Sequence, residues 1–465
     1  MIYDSPDDKL PAVADLLHNK SGNTFPSFDE GGSIYPGGVD TNPAKIMNLS
    51  PHPQSGLNPA TYPVGPKTCQ PIQPWDFVGV NTIFQVIQHA GLRTAWSDKH
   101  AIYASFNGPG SNGMSIDDFF GPEIDSQAVE PNGVPYPDDG AWTDDNAATK
   151  QYDSYKVQAV VNWINGRGHS GTGPKAGTPA IYGMNFQVVS TAEKLKSSPA
   201  VLTGPDKQGK YTLGPSLAGG YVTVNGKQVP GPLLQSALGY VNNALQRMAS
   251  TIARDGEAGS TAIILTAKHG QSPLNNSQLQ RINDAPIIAA VNAAWAKTHR
   301  ATRRWSSRRP TTTACCGGCR TARRRRLTSP RTTCGLIPPR PSPTPARRSL
   351  SSTPACGRSS LASSRRISSA SRSPTRTTRT CSGSRRSGTI YTTGSKIVEH
   401  GGDNPGDRDV PLVVYAPDTV KPGQSGHRVE TTQVAPTILK LLGLNPRNLR
   451  AVQIEHTGVL PYIQR

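Results

Sequence analysis

Two histidines stand at positions from which this chain could perform chemistry. The run TAIILTAKHG ends its apolar residues at Lys268 and His269, and His400 opens a glycine-rich loop before the apolar run VPLVVYAP. Imidazole binds metal ions and transfers protons near neutral pH. An ammonium group attracts phosphate as a point charge. Lys268, His269 and His400 are therefore the candidate residues for catalysis or metal binding.

A structural role is the alternative for each candidate. Both histidines contact a metal or phosphate, or they are ordinary polar residues at the end of a strand and in a loop. Lys268 binds phosphate, or it pairs with a carboxylate in a structural ion pair. Asp403, Asp407 and Asp409 follow His400 in a segment typical of turns. We expect these three aspartates to be loop residues and not ligands.

Two other groups of polar residues carry a weaker signal. The run WSDKH, from Trp96 to His100, has the residue types of a catalytic triad. Neighbouring residues on an extended segment face opposite ways, so we do not expect a triad there. His169 lies in GRGHSGTG, a composition typical of a flexible exposed loop.

Helices and apolar strands alternate along the chain and must position these residues. NTIFQVIQHAGLRTAW predicts a helix, a turn at Gly91 and a strand ending at Trp96. YDSYKVQAVVNWING and the apolar stripe that follows Pro232 predict two further helices. TPAIYGMNFQVVS, TAIILTAKHG and VPLVVYAP predict buried strands, and TTQVAPTILKLLGL predicts a helix that stops at Gly443. The alternation predicts an α/β fold whose sheet is mainly parallel and covered on both faces, with functional groups at the carboxyl ends of its strands.

Residues 300–387 differ in composition from the rest of the chain. They contain 22 arginines, no lysine, no acidic residue and six of the seven cysteines. Removing these arginines changes the net charge from +19 to −3, so the remainder gives no electrostatic reason to expect nucleic acid as a partner. Only Cys69 lies outside the segment, which leaves neither a disulfide framework nor zinc-finger spacing.

We interpret residues 300–387 as translated in the wrong reading frame. With GC-rich codons and a frame moved back by one base, ATRRWSSRRPTTTACC becomes DAAVVVASTDDDGML, a strand-like run before an acidic loop. TCSGSRRSG becomes DLFGIAQVG and continues into GTIYTTGSKIVEHGG, which is in frame. The alternative is a disordered basic insert that binds nucleic acid with strong salt dependence.

Composition also suggests how the chain is organised. Residues 1–75 are rich in proline, glycine and asparagine and predict a loop-rich remnant, whereas residues 76–299 and 388–465 predict the α/β core. No run of about 18 apolar residues occurs, so we expect no transmembrane helix and no membrane partner. The first residues, MIYDSPDDKLPAVADLL, lack the basic-then-apolar pattern of a signal peptide.

Four segments in a fixed order resemble one family. AGLRTAWSDKH, ILTAKHGQSP, EHGGDNPGDRDVPLVV and VETTQVAPTILKLLGL together resemble the type I phosphodiesterase/nucleotide pyrophosphatase branch of the alkaline phosphatase superfamily. The resemblance covers residues 75–299 and 388–465. It implies a three-layer α/β/α sandwich around a mostly parallel sheet. It also implies hydrolysis of phosphate monoesters or diesters by two zinc ions and a Ser or Thr nucleophile, often in an exported protein.

Position by position, the match to the family's site is incomplete. His269 matches the Asp-His-Gly motif of one metal site, but Lys268 stands where the family has a carboxylate ligand. His400 with Gly401 matches the late His-Gly motif of the second metal. Where the family has Asp-x-x-x-His, this chain has Asn185 and no spaced histidine. The family's opening strand, with its acidic ligand, and its nucleophile are expected to precede residue 1.

The resemblance therefore predicts a phosphoric ester hydrolase that is inactive as this chain. Lys268 and His269 are the predicted catalytic residues, and His269 and His400 the predicted ligands of a divalent metal, by family zinc. The predicted partner is a small phosphate ester, with no nucleic acid and no membrane. The alternative is a non-catalytic binding protein that retains the fold, which Lys268 and Asn185 favour.

The reading-frame interpretation makes a prediction about the gene. Sequencing the locus and translating it in all three frames across residues 300–387 is expected to yield strand-like and helix-like segments in the frame moved back by one base. The physical reason is that a core segment must supply apolar periodicity, which the present residues lack. A gene whose other frames contain no such segments contradicts the interpretation.

Overall fold

A computed structural model describes residues 42–59, 62, 71–137, 140–283, 388–391, 394–400, 405–417, 419–420 and 422–463, with five separate positions between 286 and 293. These residues belong to one unit, which combines chain from before position 310 and after position 381. The reading-frame interpretation of residues 300–387 and most of the predicted loop-rich remnant lie outside the described residues.

The described elements are mixed helix and strand. The α-helices are α1 (Pro43–Ile46), α2 (Ile83–His89), α3 (Asn146–Ile164), α4 (Val188–Lys194), α5 (Pro232–Arg254), α6 (Pro405–Arg408), α7 (Val434–Leu441) and α8 (Arg450–Glu455). The strands are β1 (Ala95–Ser97), β2 (Asp118–Phe120), β3 (Ser197–Pro199), β4 (Leu202–Thr203), β5 (Thr212–Leu213), β6 (Ser216–Ala218), β7 (Tyr221–Val224), β8 (Lys227–Pro230), β9 (Ile263–Thr266), β10 (Gln280–Ile282), β11 (Thr389–Tyr391) and β12 (Leu412–Tyr415).

The described strands pair in twos. β1 pairs with β2 and β10 pairs with β11 in parallel, whereas β3–β6, β4–β5, β7–β8 and β9–β12 are antiparallel. Isolated parallel bridges from Thr94 to Ile181 and from Ser97 to Met184 place a third extended segment beside β1. The predicted α/β class is confirmed. Within the described residues the parallel pairs are a minority and no single central sheet forms.

Three predicted helices are confirmed together with the signals that bound them. Thr82 and Gln85 form a capping box at the start of α2, and Gly91 turns the chain with φ 76° before β1. Pro232 occupies the first turn of α5, where its missing N–H costs nothing. Gly443 follows α7 with φ 73°, the left-handed conformation that ends many helices. No described helix has the length and apolar character needed to span a membrane.

Helix α3 forms the centre of the largest core cluster. Its amino end is capped by Asp145, whose carboxylate accepts hydrogen bonds from the backbone N–H groups of Ala147 and Ala148. Trp163 and Tyr152 on this helix are fully buried. Burial extends around most of the helix, so its sequence shows apolar residues on several faces. The helix predicted from YDSYKVQAVVNWING is confirmed, and it begins earlier, at Asn146.

An ion pair is buried inside this core. The Nζ of Lys156 lies 3.0 Å from Oδ1 of Asp153, and both side chains are 0% exposed. Lys156 also donates to the carbonyl and the side-chain oxygen of Asn185 at 2.6 and 3.0 Å. Asp153 accepts the backbone N–H groups of Gln187 and Val188, at the start of α4. Burial raises the pKa of Asp153 even though Lys156 and these N–H groups favour the carboxylate.

The prediction that TPAIYGMNFQVVS forms one buried strand is wrong for most of its length. Only single bridges at Ile181 and Met184 join β1, and α4 begins at Val188 within the same run. Gly183 packs against the ring of Trp96, where a Cβ would approach a ring carbon to 2.7 Å. Tertiary packing and the contacts of Asn185 therefore override the local preference for a strand.

The apolar strands β9 and β12 are less buried than predicted. Val413 and Tyr415 on β12 are 53% and 58% exposed, and the residues of β9 are only partly buried. Among the described residues β9 and β12 pair only with each other. Continuous apolar runs are typical of strands that are buried on both faces. Among the described residues, no element buries both faces of β9 and β12.

The buried ion pair predicts a large stability difference. Asp153→Ala leaves the Lys156 ammonium buried without its carboxylate, so we expect the free energy of unfolding to fall by about 3–5 kcal/mol. Arg254→Ala is the matched control. It removes the ion pair between the exposed Arg254 and Asp255, whose Nε and Oδ1 atoms lie 3.6 Å apart, and is expected to cost less than about 1 kcal/mol. Urea denaturation measures both, and equal losses in the two variants contradict the assigned role.

Candidate functional site

The structure places His269 and His400 in direct contact. Their ring centroids are 4.0 Å apart and the ring planes differ by 30°. Antiparallel pairing explains the contact, because it sets the end of β9 beside the start of β12. His269 follows β9 and His400 precedes β12, so both loops leave the strand pair at the same edge. Parallel pairing would have placed these loops at opposite edges.

Backbone contacts hold the two loops together. Ser272 and Glu399 exchange two backbone hydrogen bonds of 3.0 Å, and the N–H of Gly270 donates to the carbonyl of Asp407 at 2.8 Å. A Cβ at Gly270 would lie 1.9 Å from the carbonyl oxygen of Gly406, so this position requires glycine. Asp407 was predicted to be a loop residue, but it is buried within α6 and accepts a 3.0 Å hydrogen bond from the Ser272 hydroxyl. Asp403 lies outside the described residues.

The end of α4 joins both histidine loops. Gln271 donates from Nε2 to Oε2 of Glu193 at 2.6 Å, which ties the His269 loop to the helix. Lys194 forms an ion pair of 3.0 Å with Glu399, and its carbonyl accepts the N–H of Ile397, which ties the His400 loop to the same helix. Two consecutive side chains therefore fix the relative position of the histidines.

Lysine side chains give this site a positive electrostatic environment. Lys268 donates to the hydroxyl of Tyr103 at 3.1 Å, and its Nζ lies 5.4 Å from the centre of that ring. Lys268 is exposed, and among the described residues the contact it makes is with this tyrosine and not with a carboxylate in a structural ion pair. Lys99 and Lys194 also act electrostatically on His269. The carboxylate of Glu399 partly neutralises the positive charge of Lys194.

Both histidines are neutral at neutral pH. Burial and the charges of Lys268, Lys194 and Lys99 lower the pKa of His269, against a hydrogen bond to the carbonyl of Gly270. In the neutral ring, Nδ1 donates that 3.0 Å bond, which leaves Nε2 with its lone pair. Burial and the charge of Lys194 lower the pKa of His400 to about 4. The site thus presents two basic imidazoles among cationic groups.

The two histidines alone do not complete a zinc site among the described residues. Zinc takes at least three protein ligands, and this pair supplies two. Among the described residues, the group of three or more metal-binding side chains with mutually close ligand atoms lies elsewhere, at His100, Glu123 and Asp125. Lys268, where the family has a carboxylate, adds a positive charge that repels a cation.

The residues from Trp96 to His100 form no catalytic triad, as predicted. Asp98 accepts the indole N–H of Trp96 at 3.1 Å and the side-chain N–H of Asn185. His100 points to a different partner, Glu123, with 2.5 Å between Nδ1 and Oε1. Asn185, which stands where the family has a metal ligand, is thus held by Asp98 and the buried lysine of α3.

His169 is buried, so the prediction of an exposed loop histidine is wrong. Its Nδ1 lies 2.6 Å from Oδ1 of Asp118, and its ring stacks on Phe120 at 4.9 Å. Trp163 donates to the other oxygen of Asp118 at 2.7 Å. Burial would raise the pKa of Asp118, but these contacts hold it below its ordinary value. β2, which carries Asp118 and Phe120, was not predicted, because turn-forming residues flank its three positions.

Comparison with known proteins identifies no relative. No family model, no curated protein and no solved structure matches the chain.

The contact between Glu193 and Gln271 predicts a pH-dependent stability. Burial raises the pKa of Glu193 from 4.5 to about 6, against the hydrogen bond from Gln271. The unfolded chain therefore ionises first, and stability is lost as the pH rises through this window. Glu193→Gln removes that loss, so the variant is expected to gain up to about 2 kcal/mol over the unaltered chain between pH 4.5 and 7.

Urea denaturation as a function of pH measures this gain. Glu455→Gln, at an exposed carboxylate of α8, is the matched control. A stability difference between Glu193→Gln and the unaltered chain that stays constant with pH rules out the ionisation of Glu193 as its cause.

Proposed function

We propose that this chain is a phosphoric ester hydrolase of the alkaline phosphatase superfamily in origin, and that in its present form it binds phosphate esters without hydrolysing them. The observation that carries the proposal is the contact of His269 with His400 beside Lys268. These are the residues that the resemblance assigns to the family's site, and they come from distant parts of the chain.

The charges of the site favour an anionic ligand. Lys268 is exposed and contacts a neutral tyrosine hydroxyl, so its ammonium group remains free to attract a phosphate oxygen. The neutral Nε2 of His269 accepts a proton from a phosphate monoester or from water bound to it. Lys99 adds a further positive charge near His269. The residues therefore supply charge attraction and one acceptor for a small phosphate ester.

Hydrolysis needs groups that this site lacks among the described residues. In-line phosphoryl transfer requires a nucleophile and positive charge on both the attacking and leaving oxygens. The resemblance assigns the nucleophile to no position of this chain, and the two histidines alone do not complete a zinc site.

The proposed complete fold is the family's three-layer sandwich. We further propose that the in-frame translation of residues 300–387 supplies strands that cover β9 and β12.

A second candidate is a binding protein that never catalyses. Lys268 in the place of a carboxylate and Asn185 in the place of a metal ligand favour it. The two candidates differ in the behaviour of the protein made from the corrected full-length gene, with the frame restored and the upstream coding sequence included: a hydrolase gains metal-dependent turnover, whereas a binding protein gains stability only.

Phosphate binding by the present chain is the direct test. Isothermal titration with p-nitrophenyl phosphate is expected to give a measurable affinity that falls about tenfold in Lys268→Met, because one charge-assisted contact is lost. Lys227→Met, at an exposed lysine of β8, is the control and is expected to leave the affinity unchanged. Equal affinity in all three proteins contradicts the assigned site.

Hydrolysis assays test the other part of the proposal. The present chain is expected to release no p-nitrophenol from p-nitrophenyl phosphate or from bis(p-nitrophenyl) phosphate, with or without added zinc. The protein made from the corrected full-length gene, with the frame restored and the upstream coding sequence included, is expected to release it and to lose this activity with a chelator. Turnover by the present chain overturns the claim of inactivity, and a corrected full-length protein without turnover favours the binding protein.

A further inference from the structure

A second cluster of ligand-type side chains lies at the ends of β1 and β2. His100 follows β1 by three residues, and Glu123 and Asp125 follow β2. One ligand atom from each of the three lies within 4.8 Å of the others. His100 and Glu123 are buried at 3% and 2% exposure, whereas Asp125 is exposed. Parallel pairing of β1 with β2 explains the meeting, because the carboxyl ends of parallel strands share one edge.

The hydrogen bonds of Glu123 leave one of its oxygens unsatisfied. Oε1 contacts Nδ1 of His100 and accepts the N–H of Asp125 at 3.1 Å. Oε2 is buried and has no hydrogen-bond partner among the described residues. A buried carboxylate oxygen without a partner carries a desolvation cost that native proteins rarely leave uncompensated. The oxygen therefore points to a ligand that the described residues do not supply.

The approach of a second carboxylate strengthens this inference. Two carboxylates that share a site repel each other, and a cation between them removes the repulsion. The His100 imidazole provides only one nitrogen for two acidic groups. One nitrogen and two carboxylates form a ligand set suited to a divalent first-row transition metal.

We propose that His100, Glu123 and Asp125 bind a divalent transition-metal cation, with the buried pair as inner ligands and Asp125 closing the site from solvent. Ligand atoms about 2.1 Å from a tetrahedral ion lie about 3.4 Å apart. The His100 Nδ1 and Glu123 Oε1 atoms lie 2.5 Å apart, closer than this value. His100 and Glu123 therefore need to move apart by less than about 1 Å to admit the ion.

The ion has a structural consequence for the neighbouring site. His100 stacks on Tyr103 with 6.0 Å between ring centroids, and Tyr103 accepts the hydrogen bond of Lys268. A cation at His100 fixes the loop that carries Tyr103 and so the position of Lys268. The inference itself does not depend on phosphate binding or hydrolysis.

Manganese is the appropriate probe for this site. Carboxylates suit Mn²⁺, whereas the six cysteines of residues 300–387 favour softer metals such as zinc. Titration of the full chain, followed by loss of the free Mn²⁺ electron paramagnetic resonance signal, is expected to give one bound ion per chain. Asp125→Asn is expected to weaken binding at least tenfold, and because Asp125 is exposed this change leaves the core intact.

Three further proteins make the assignment specific. Asp206→Asn, at an exposed carboxylate in the turn between β4 and β5, is the matched control and is expected to bind like the unaltered chain. His269→Ala/His400→Ala is expected to retain the ion, whereas His100→Gln is expected to lose it. Binding unchanged in both Asp125→Asn and His100→Gln overturns the proposal, as does absence of any bound Mn²⁺ in the unaltered chain. Loss of the ion in the double histidine variant alone assigns it to the other site.

Discussion

The buried ion pair between Asp153 and Lys156 is the constraint on which the described structure depends. Two ions without solvent are tolerated only when their remaining hydrogen-bonding groups are used. Asp153 uses its second oxygen on the N–H groups that open α4, and Lys156 uses its remaining donors on Asn185. The pair therefore fixes where α4 begins. The far end of α4 in turn carries the two side chains that hold the histidine loops.

Strand direction decides whether distant residues meet. The antiparallel pair β9–β12 joins the loop after one strand to the loop before the other, which is how His269 reaches His400. The parallel pair β1–β2 joins two carboxyl ends, which is how His100 reaches Glu123. One molecule thus uses both pairings to assemble side chains from separate segments. Lys99, whose charge acts on His269, directly precedes His100 in the sequence.

Sequence reasoning succeeded where local chemistry decides the structure and failed where distant partners do. The end of α2, the start of α5 and the end of α7 follow from Gly91, Pro232 and Gly443, each close to the helix end that it marks. The burial of His169 depends on Asp118 and Trp163, whose proximity no local pattern encodes. The site residues His269 and His400 were predicted from motifs, but the antiparallel pairing that unites them was not. The apolar runs of β9 and β12 predicted burial that the described residues do not provide.

The distribution of charge separates two kinds of chemistry at two neighbouring groups of side chains. Around His269 and His400, burial and then the lysine charges lower the pKa of both imidazoles, and the lysines favour an anion. Around His100, two carboxylates face one imidazole and favour a cation. Tyr103 touches both, because its ring stacks on His100 and its hydroxyl accepts from Lys268. A cation at the proposed metal site would thus fix this tyrosine beside the proposed phosphate site. Any shift of Tyr103 would change the two sites together.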